Sequence, residues 1–121
     1  MDEIALQGRR ILVIEDDYWV AQIVVEILKD SGAEVVGPIG WVEEALEALE
    51  GQDAKFDGAV LDINLHGTKS YPIADALSAS GIPFVFTTGY GVAGIDDPYT
   101  AYPRCTKPFN RSALVAALTG V

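Results

Sequence analysis

Ile11-Leu12-Val13-Ile14-Glu15-Asp16-Asp17 is a run of four apolar residues that ends in three consecutive acids. A short, unbroken apolar run is the pattern of a strand covered on both faces, and such strands belong to parallel sheets. Immediately downstream, Val20, Ile23, Val24, Ile27 and Leu28 keep the i, i+3, i+4, i+7, i+8 spacing of one helical face, and Gly32 stops that helix. The alternation then repeats. Glu34 to Gly37 predicts a second strand ended by Pro38. Val42, Ala45, Leu46 and Leu49 predict a second helix that ends near Gly51. Gly58 to Leu61 predicts a third strand, Ile73, Ala76 and Leu77 a third helix stopped by Gly81, and Pro83 to Thr87 a fourth strand. Gly89 to Pro103 holds three glycines, two prolines and the adjacent Asp96 and Asp97, and reads as a loop with at most a short irregular helix. Arg104 to Thr106 predicts a short fifth strand, and Asn110 an N-cap for a last helix turned inward by Leu114, Ala117 and Leu118.

Strands alternating with helices imply an α/β fold, a parallel sheet covered on both faces, and right-handed crossovers leave few topologies. The expectation is a three-layer, doubly wound, flavodoxin-like sheet of order 2-1-3-4-5 with a weak fourth helix. Its switch point lies between strands 1 and 3, so a site belongs outside the carboxyl ends of those strands. With 121 residues the chain fits one domain, residues 1–121, with its core at about 9–119. The net charge of −10, from 8 Lys and Arg against 18 Asp and Glu, argues against nucleic acid and acidic membranes as partners and favours a monomer. Cys105 is the one cysteine, which excludes an internal disulfide. Neither a signal peptide nor a run of transmembrane length is legible, so a cytoplasmic protein is expected.

The strand ends carry the chemistry. Glu15, Asp16 and Asp17 follow strand 1, Asp62 follows strand 3, Thr87 and Thr88 follow strand 4, and Lys107 follows strand 5. Asp17 suits a helix N-cap, but three successive acids and a fourth across the switch point exceed what capping needs. Crowded carboxylates destabilise one another unless a cation compensates, and hard oxygen ligands suit Mg²⁺. With a metal present, Asp62 becomes a candidate nucleophile toward phosphorus, Lys107 a counter-ion for the transferring group, and Thr88 a hydrogen-bond donor to a phosphoryl oxygen.

These residues resemble the receiver domain of bacterial two-component systems. Ile11 to Asp16 resembles its acidic strand-1 motif, Val60-Leu61-Asp62-Ile63-Asn64-Leu65 its phospho-acceptor motif, and Lys107-Pro108-Phe109 its Lys-Pro-Phe signature. The resemblance implies a response regulator in a phosphorelay, with Asp62 as acceptor. Asp16 would bind Mg²⁺ directly, Glu15 through water, and Asn64 through its backbone carbonyl. Thr88 would be the switch hydroxyl, Lys107 the counter-ion, and the Lys107-Pro108 bond would be cis. Pro83 to Gly91 is similar to the signature of the stand-alone "FAT GUY" receivers of alphaproteobacteria, as is Lys69-Ser70-Tyr71-Pro72. Thr87 stands where Ala is usual, and Tyr90 follows Gly89 directly. That subfamily implies phosphotransfer from histidine kinases of the HWE/HisKA2 type, or through a phosphotransfer protein, and a role in stress signalling. Arg104 occupies the place of the usual switch aromatic, as in the subfamily. Asn64 and Tyr90 resemble positions that tune the lifetime of the acyl phosphate.

Other residues have plainer readings. Thr87 and Thr88 compete for the switch role, and the Thr-Gly pattern favours Thr88. His66 reads as a turn residue, Cys105 as a buried inert thiol, Trp41 and Tyr71 as packing residues, and Tyr99 and Tyr102 as aromatics partly buried against strand 5 or partner contacts. Two alternative functions are a never-phosphorylated interaction module and a small Mg²⁺-dependent aspartyl phosphatase. The phosphatase fits poorly, because its nucleophile normally follows strand 1 in an Asp-X-Asp arrangement. With no output domain legible, action through binding of a downstream protein partner, through passing phosphate on, or as a phosphate sink is expected.

Overall fold

A computed structural model describes residues 5–51, 55–88, 96, 99–106 and 110–119. In chain order they form β1 (Arg10–Ile14), α1 (Tyr18–Asp30), β2 (Glu34–Ile39), α2 (Val42–Glu50), β3 (Gly58–Asp62), β4 (Asn64–Leu65), β5 (Thr68–Lys69), α3 (Tyr71–Ala79), β6 (Phe84–Thr88), a 3₁₀ turn (Tyr99–Ala101), β7 (Arg104–Thr106) and α4 (Arg111–Thr119). β2-β1-β3-β6-β7 is a five-stranded sheet, parallel in every pairing, while β4 and β5 form a separate two-residue antiparallel pair. With that small hairpin set aside, the order is the expected 2-1-3-4-5.

Alternation along the strands divides the interior into two cores. Leu12, Ile14, Ala59, Leu61, Phe84 and Phe86 face α2 and α3, packing on Ala45, Ile73, Ala74 and Leu77. Ile11, Val13, Val60, Val85 and Cys105 face α1 and α4, packing on Val24, Leu28, Leu114 and Leu118, with Leu6 joining them. β3 and β6 are buried along their whole length, which explains their nearly unbroken apolar sequence.

Local chemistry sets the helix ends. The Asp17 carboxylate accepts from the Trp19 and Val20 N–H groups at 2.9 and 3.2 Å, so the N-cap reading holds. At the other end the Ala33 N–H reaches back to the Leu28 carbonyl across Gly32, whose φ of +92° closes the helix. Asn110 Oδ1 accepts from the Ala113 N–H at 3.1 Å and caps α4. No helix among the described residues is long and apolar enough to cross a membrane.

One expectation needs correction. β2 does not stop before Pro38 but runs through it to Ile39, with the register against β1 slipping between Leu12 and Ile14. β2 is the sheet edge, where the missing proline N–H interrupts no inner ladder. Tyr99 and Tyr102 are half-buried as expected, but their ring partners lie on α3 and β6. Tyr99 stacks on Tyr71 at 4.0 Å, and Tyr102 lies 4.7 Å from Phe84. The Tyr99 hydroxyl donates to Asp75 on α3, and that carboxylate, with a smaller part from burial, raises the phenol pKa above 10.0. Tyr71 is a packing residue as expected, edge-on to Phe86.

Candidate functional site

β1 and β3 are neighbours, so their carboxyl ends deliver Glu15, Asp16 and Asp62 to one place. One carboxylate oxygen from each lies within 4.8 Å of the others. Glu15 is 4% and Asp62 7% exposed, whereas Asp16 is more open to solvent. The acids are held by backbone donors. The Asp17 N–H donates to Glu15 at 3.1 Å, the Asn64 N–H to Asp62 Oδ1 at 3.3 Å, and the His66 N–H to Asp16 Oδ2 at 2.9 Å. Burial pushes the Asp16 carboxyl up. Hydrogen bonds from the His66 backbone, with the Glu15 side chain and from its own backbone outweigh that, and its pKa falls below the ordinary 3.8.

The donor set fits a hard divalent cation. Mg²⁺ holds oxygens at about 2.0–2.1 Å, so ligands on opposite sides of one ion stand about 4 Å apart. Three carboxylates with oxygens inside 4.8 Å need little closure to share such an ion, directly or through a bound water.

Thr87 is the register partner of Asp62, and Thr88, the last residue of β6, pairs with Thr106 of β7. Both threonines are buried. Thr87 follows Val85 onto the α1 and α4 face, and Thr88 stands one residue nearer the strand tip, on the opposite face. Among the described residues, the buried Thr87 Oγ1 has no hydrogen-bond partner. Thr87→Val keeps the shape and removes that unpaired hydroxyl, and is expected to raise stability by about 1 kcal/mol, measured by urea unfolding. A loss of stability instead would mean that the hydroxyl is bonded. Lys107, the Lys107-Pro108 bond and Tyr90 lie outside the described residues; Thr106, one residue before Lys107, ends β7 beside the tip of β6. Arg104 donates from its guanidinium to the Thr100 carbonyl at 3.0 Å.

Three residues around the acids were not singled out from sequence as part of the site. Ser70 donates its hydroxyl to the Asp62 carbonyl at 2.5 Å, and its N–H to the Ile63 carbonyl at 2.8 Å, pinning the β4–β5 hairpin to the end of β3. His66 is a turn residue, as expected, with φ +51°, but its N–H also holds Asp16. Trp41, read as a packing residue, is 50% exposed and stacks on the His66 ring at 3.6 Å and 11°. Cys105 meets its expectation. It is buried, and burial raises its thiol pKa above 9.0.

No family model matches the chain. Its relatives include the sensor protein TorS of Escherichia coli, 33% identical over 78% of this chain and 10% of TorS. They also include the cell cycle response regulator CtrA of Brucella ovis, 30% identical over 93% of this chain and 49% of CtrA. The chain therefore spans a tenth of the first relative and about half of the second. Among solved structures, that of SdrG from Sphingomonas melonis superposes with a TM-score of 0.80 at 37% identity, covering 94% of this chain and 97% of SdrG. The BeF₃-activated conformation of SdrG matches at 0.77 and 35%. SdrG shares the length, the fold and over a third of the residues, and response regulators stand among the curated relatives; the chain thus belongs to the receiver family of response regulators.

Proposed function

We propose that the chain is a Mg²⁺-dependent phospho-acceptor that receives a phosphoryl group on Asp62 from a histidine kinase or a phosphotransfer protein. The observation that carries this is the convergence of Glu15, Asp16 and Asp62 at the tips of β1 and β3 in a member of the receiver family. Asp16 and Asp62 would hold the ion, with Glu15 acting through water and the Asn64 carbonyl contributing. When bound, Mg²⁺ would neutralise charge on the phosphoryl oxygens.

Asp62 is pre-positioned for attack. The Asn64 N–H fixes one carboxylate oxygen, and Ser70 fixes the backbone carbonyl of the same residue. An Asp62 oxygen forms an O–P bond while the bond from phosphorus to the donor breaks and its electron pair leaves with the donor. Lys107 supplies the counter-charge and Thr88 a hydroxyl donor to the phosphoryl group. SdrG has a BeF₃-activated conformation, which supports a phosphate-responsive state for so similar a chain. The further reading is a FAT GUY receiver of the cytoplasm, monomeric, served by an HWE/HisKA2 kinase in stress signalling, whose phosphorylation alters binding of a downstream protein. Arg104 at the aromatic position supports that narrower assignment.

The test is incubation with acetyl phosphate. An acid-stable, base-labile label is expected with Mg²⁺ and none with EDTA. An unlabelled chain in saturating Mg²⁺, or equal labelling in EDTA, would overturn the proposal.

A further inference from the structure

Three loops meet beside the acids: residues 15–17 after β1, Gly40 and Trp41 after β2, and His66 and Gly67 between β4 and β5. They pack closely. A side chain at Gly40 would begin 3.4 Å from Asp16 Cα and 3.5 Å from His66 Nε2. His66 is the one non-glycine residue with positive φ among the described residues, a conformation costing about 1–2 kcal/mol for an ordinary L-residue. Such a conformation persists where surrounding contacts over-determine it. Two contacts from two different elements meet at residue 66. Trp41 lies flat on its ring, and Asp16 Oδ2 accepts from its N–H.

We propose that Trp41 and His66 form a stacked clamp that orients the Asp16 carboxylate for the cation. Trp41 and His66 are then positioning residues for metal binding; neither touches the ion. The stack holds the residue 66 backbone in its left-handed turn, and the N–H that this turn aims at Asp16 fixes Oδ2 and with it the orientation of the carboxylate. The position of Trp41 agrees with this role. It is half in solvent and contributes little to either core, so a large aromatic there is not explained by packing. This inference rests on the reading of Glu15, Asp16 and Asp62 as the Mg²⁺ site.

The experiment is calorimetric titration with MgCl₂ of the wild type, Trp41→Ala, Trp41→Phe, His66→Gly and Asp16→Asn, with amide hydrogen exchange at His66 followed in EDTA. Removing an outer-shell partner typically weakens metal binding 10–100-fold, so Trp41→Ala is expected to bind Mg²⁺ about tenfold more weakly. Trp41→Phe, which can still stack, is expected to recover most of the affinity. His66→Gly keeps the N–H and relieves the backbone cost but loses the ring, and is expected to weaken binding as Trp41→Ala does. In EDTA the His66 amide of Trp41→Ala is expected to exchange faster, while the thermal midpoint stays near that of the wild type. Wild-type affinity in both Trp41→Ala and His66→Gly would overturn the clamp, as would failure of Trp41→Phe to rescue. If Trp41→Ala does not fold, His66→Gly decides alone. A wild type that binds no Mg²⁺, or an Asp16→Asn variant that binds it as well as the wild type, would instead overturn the reading of the site.

Discussion

Asp62→Asn is expected to take no measurable label from acetyl phosphate in Mg²⁺, while remaining folded. The substitution is nearly isosteric. It replaces a carboxylate oxygen, the nucleophile proposed to form the bond to phosphorus, with a neutral amide. The hydrogen bonds that hold residue 62 survive in outline, because the Ser70 hydroxyl bonds to its backbone carbonyl and the Asn64 N–H still meets a side-chain oxygen. The fold therefore has no reason to fail. Asp62 is a buried carboxylate within 4.8 Å of two others, and without a cation the three repel. Asp62→Asn is accordingly expected to melt at or above the wild-type midpoint in EDTA and to gain less from added Mg²⁺. Loss of labelling with a retained or raised midpoint separates a missing nucleophile from a misfolded chain. Labelling of the variant at the wild-type level would remove Asp62 from the mechanism.

The largest effect on stability is expected from Phe86→Ala. Phe86 is fully buried in the core facing α2 and α3, at the centre of an aromatic group. Phe84 stands 5.4 Å away and Tyr71, Tyr102 and Tyr99 stand 6.2, 6.2 and 6.5 Å away, all presented close to edge-on. Truncation removes the ring from water-free surroundings and leaves a cavity whose walls belong to three separate elements, so collapse is incomplete. Such changes cost about 3–5 kcal/mol, against a total of about 5–15 kcal/mol for an ordinary domain. Urea unfolding of the variant should show a large fall in midpoint with little change in slope. A cost below about 1 kcal/mol would contradict the packing described.

Much of this architecture is legible in the residues. The apolar runs of β1, β3 and β6 are nearly continuous because both faces are buried, and the helices between them keep a clear period. Glu15, Asp16 and Asp62 follow from that reading, since order 2-1-3-4-5 makes the first and third strands neighbours. What escaped depends on distant partners. Pro38 is a strand breaker in local terms, and only its place at the sheet edge makes it tolerable. Asn64–Leu65 and Thr68–Lys69 are too short to show a strand period. The stack of Trp41 on His66 joins residues from different loops, and no spacing rule connects them. Thr87 and Thr88 stayed hard to separate because both are buried and differ only by the strand's alternation.

Two interiors share the same three strands, and this limits how the gene can change. Substitutions on the α1 and α4 side can drift without disturbing the α2 and α3 side, since successive residues of β1, β3 and β6 answer to different neighbours. A one-residue insertion or deletion in any of these strands has no such freedom. It would exchange the two populations of side chains along everything downstream in that strand and carry the acids at the tips of β1 and β3, or the threonines of β6, to the wrong side. Length variation among descendants of this chain should therefore fall in the connecting loops, with the strands varying only in composition.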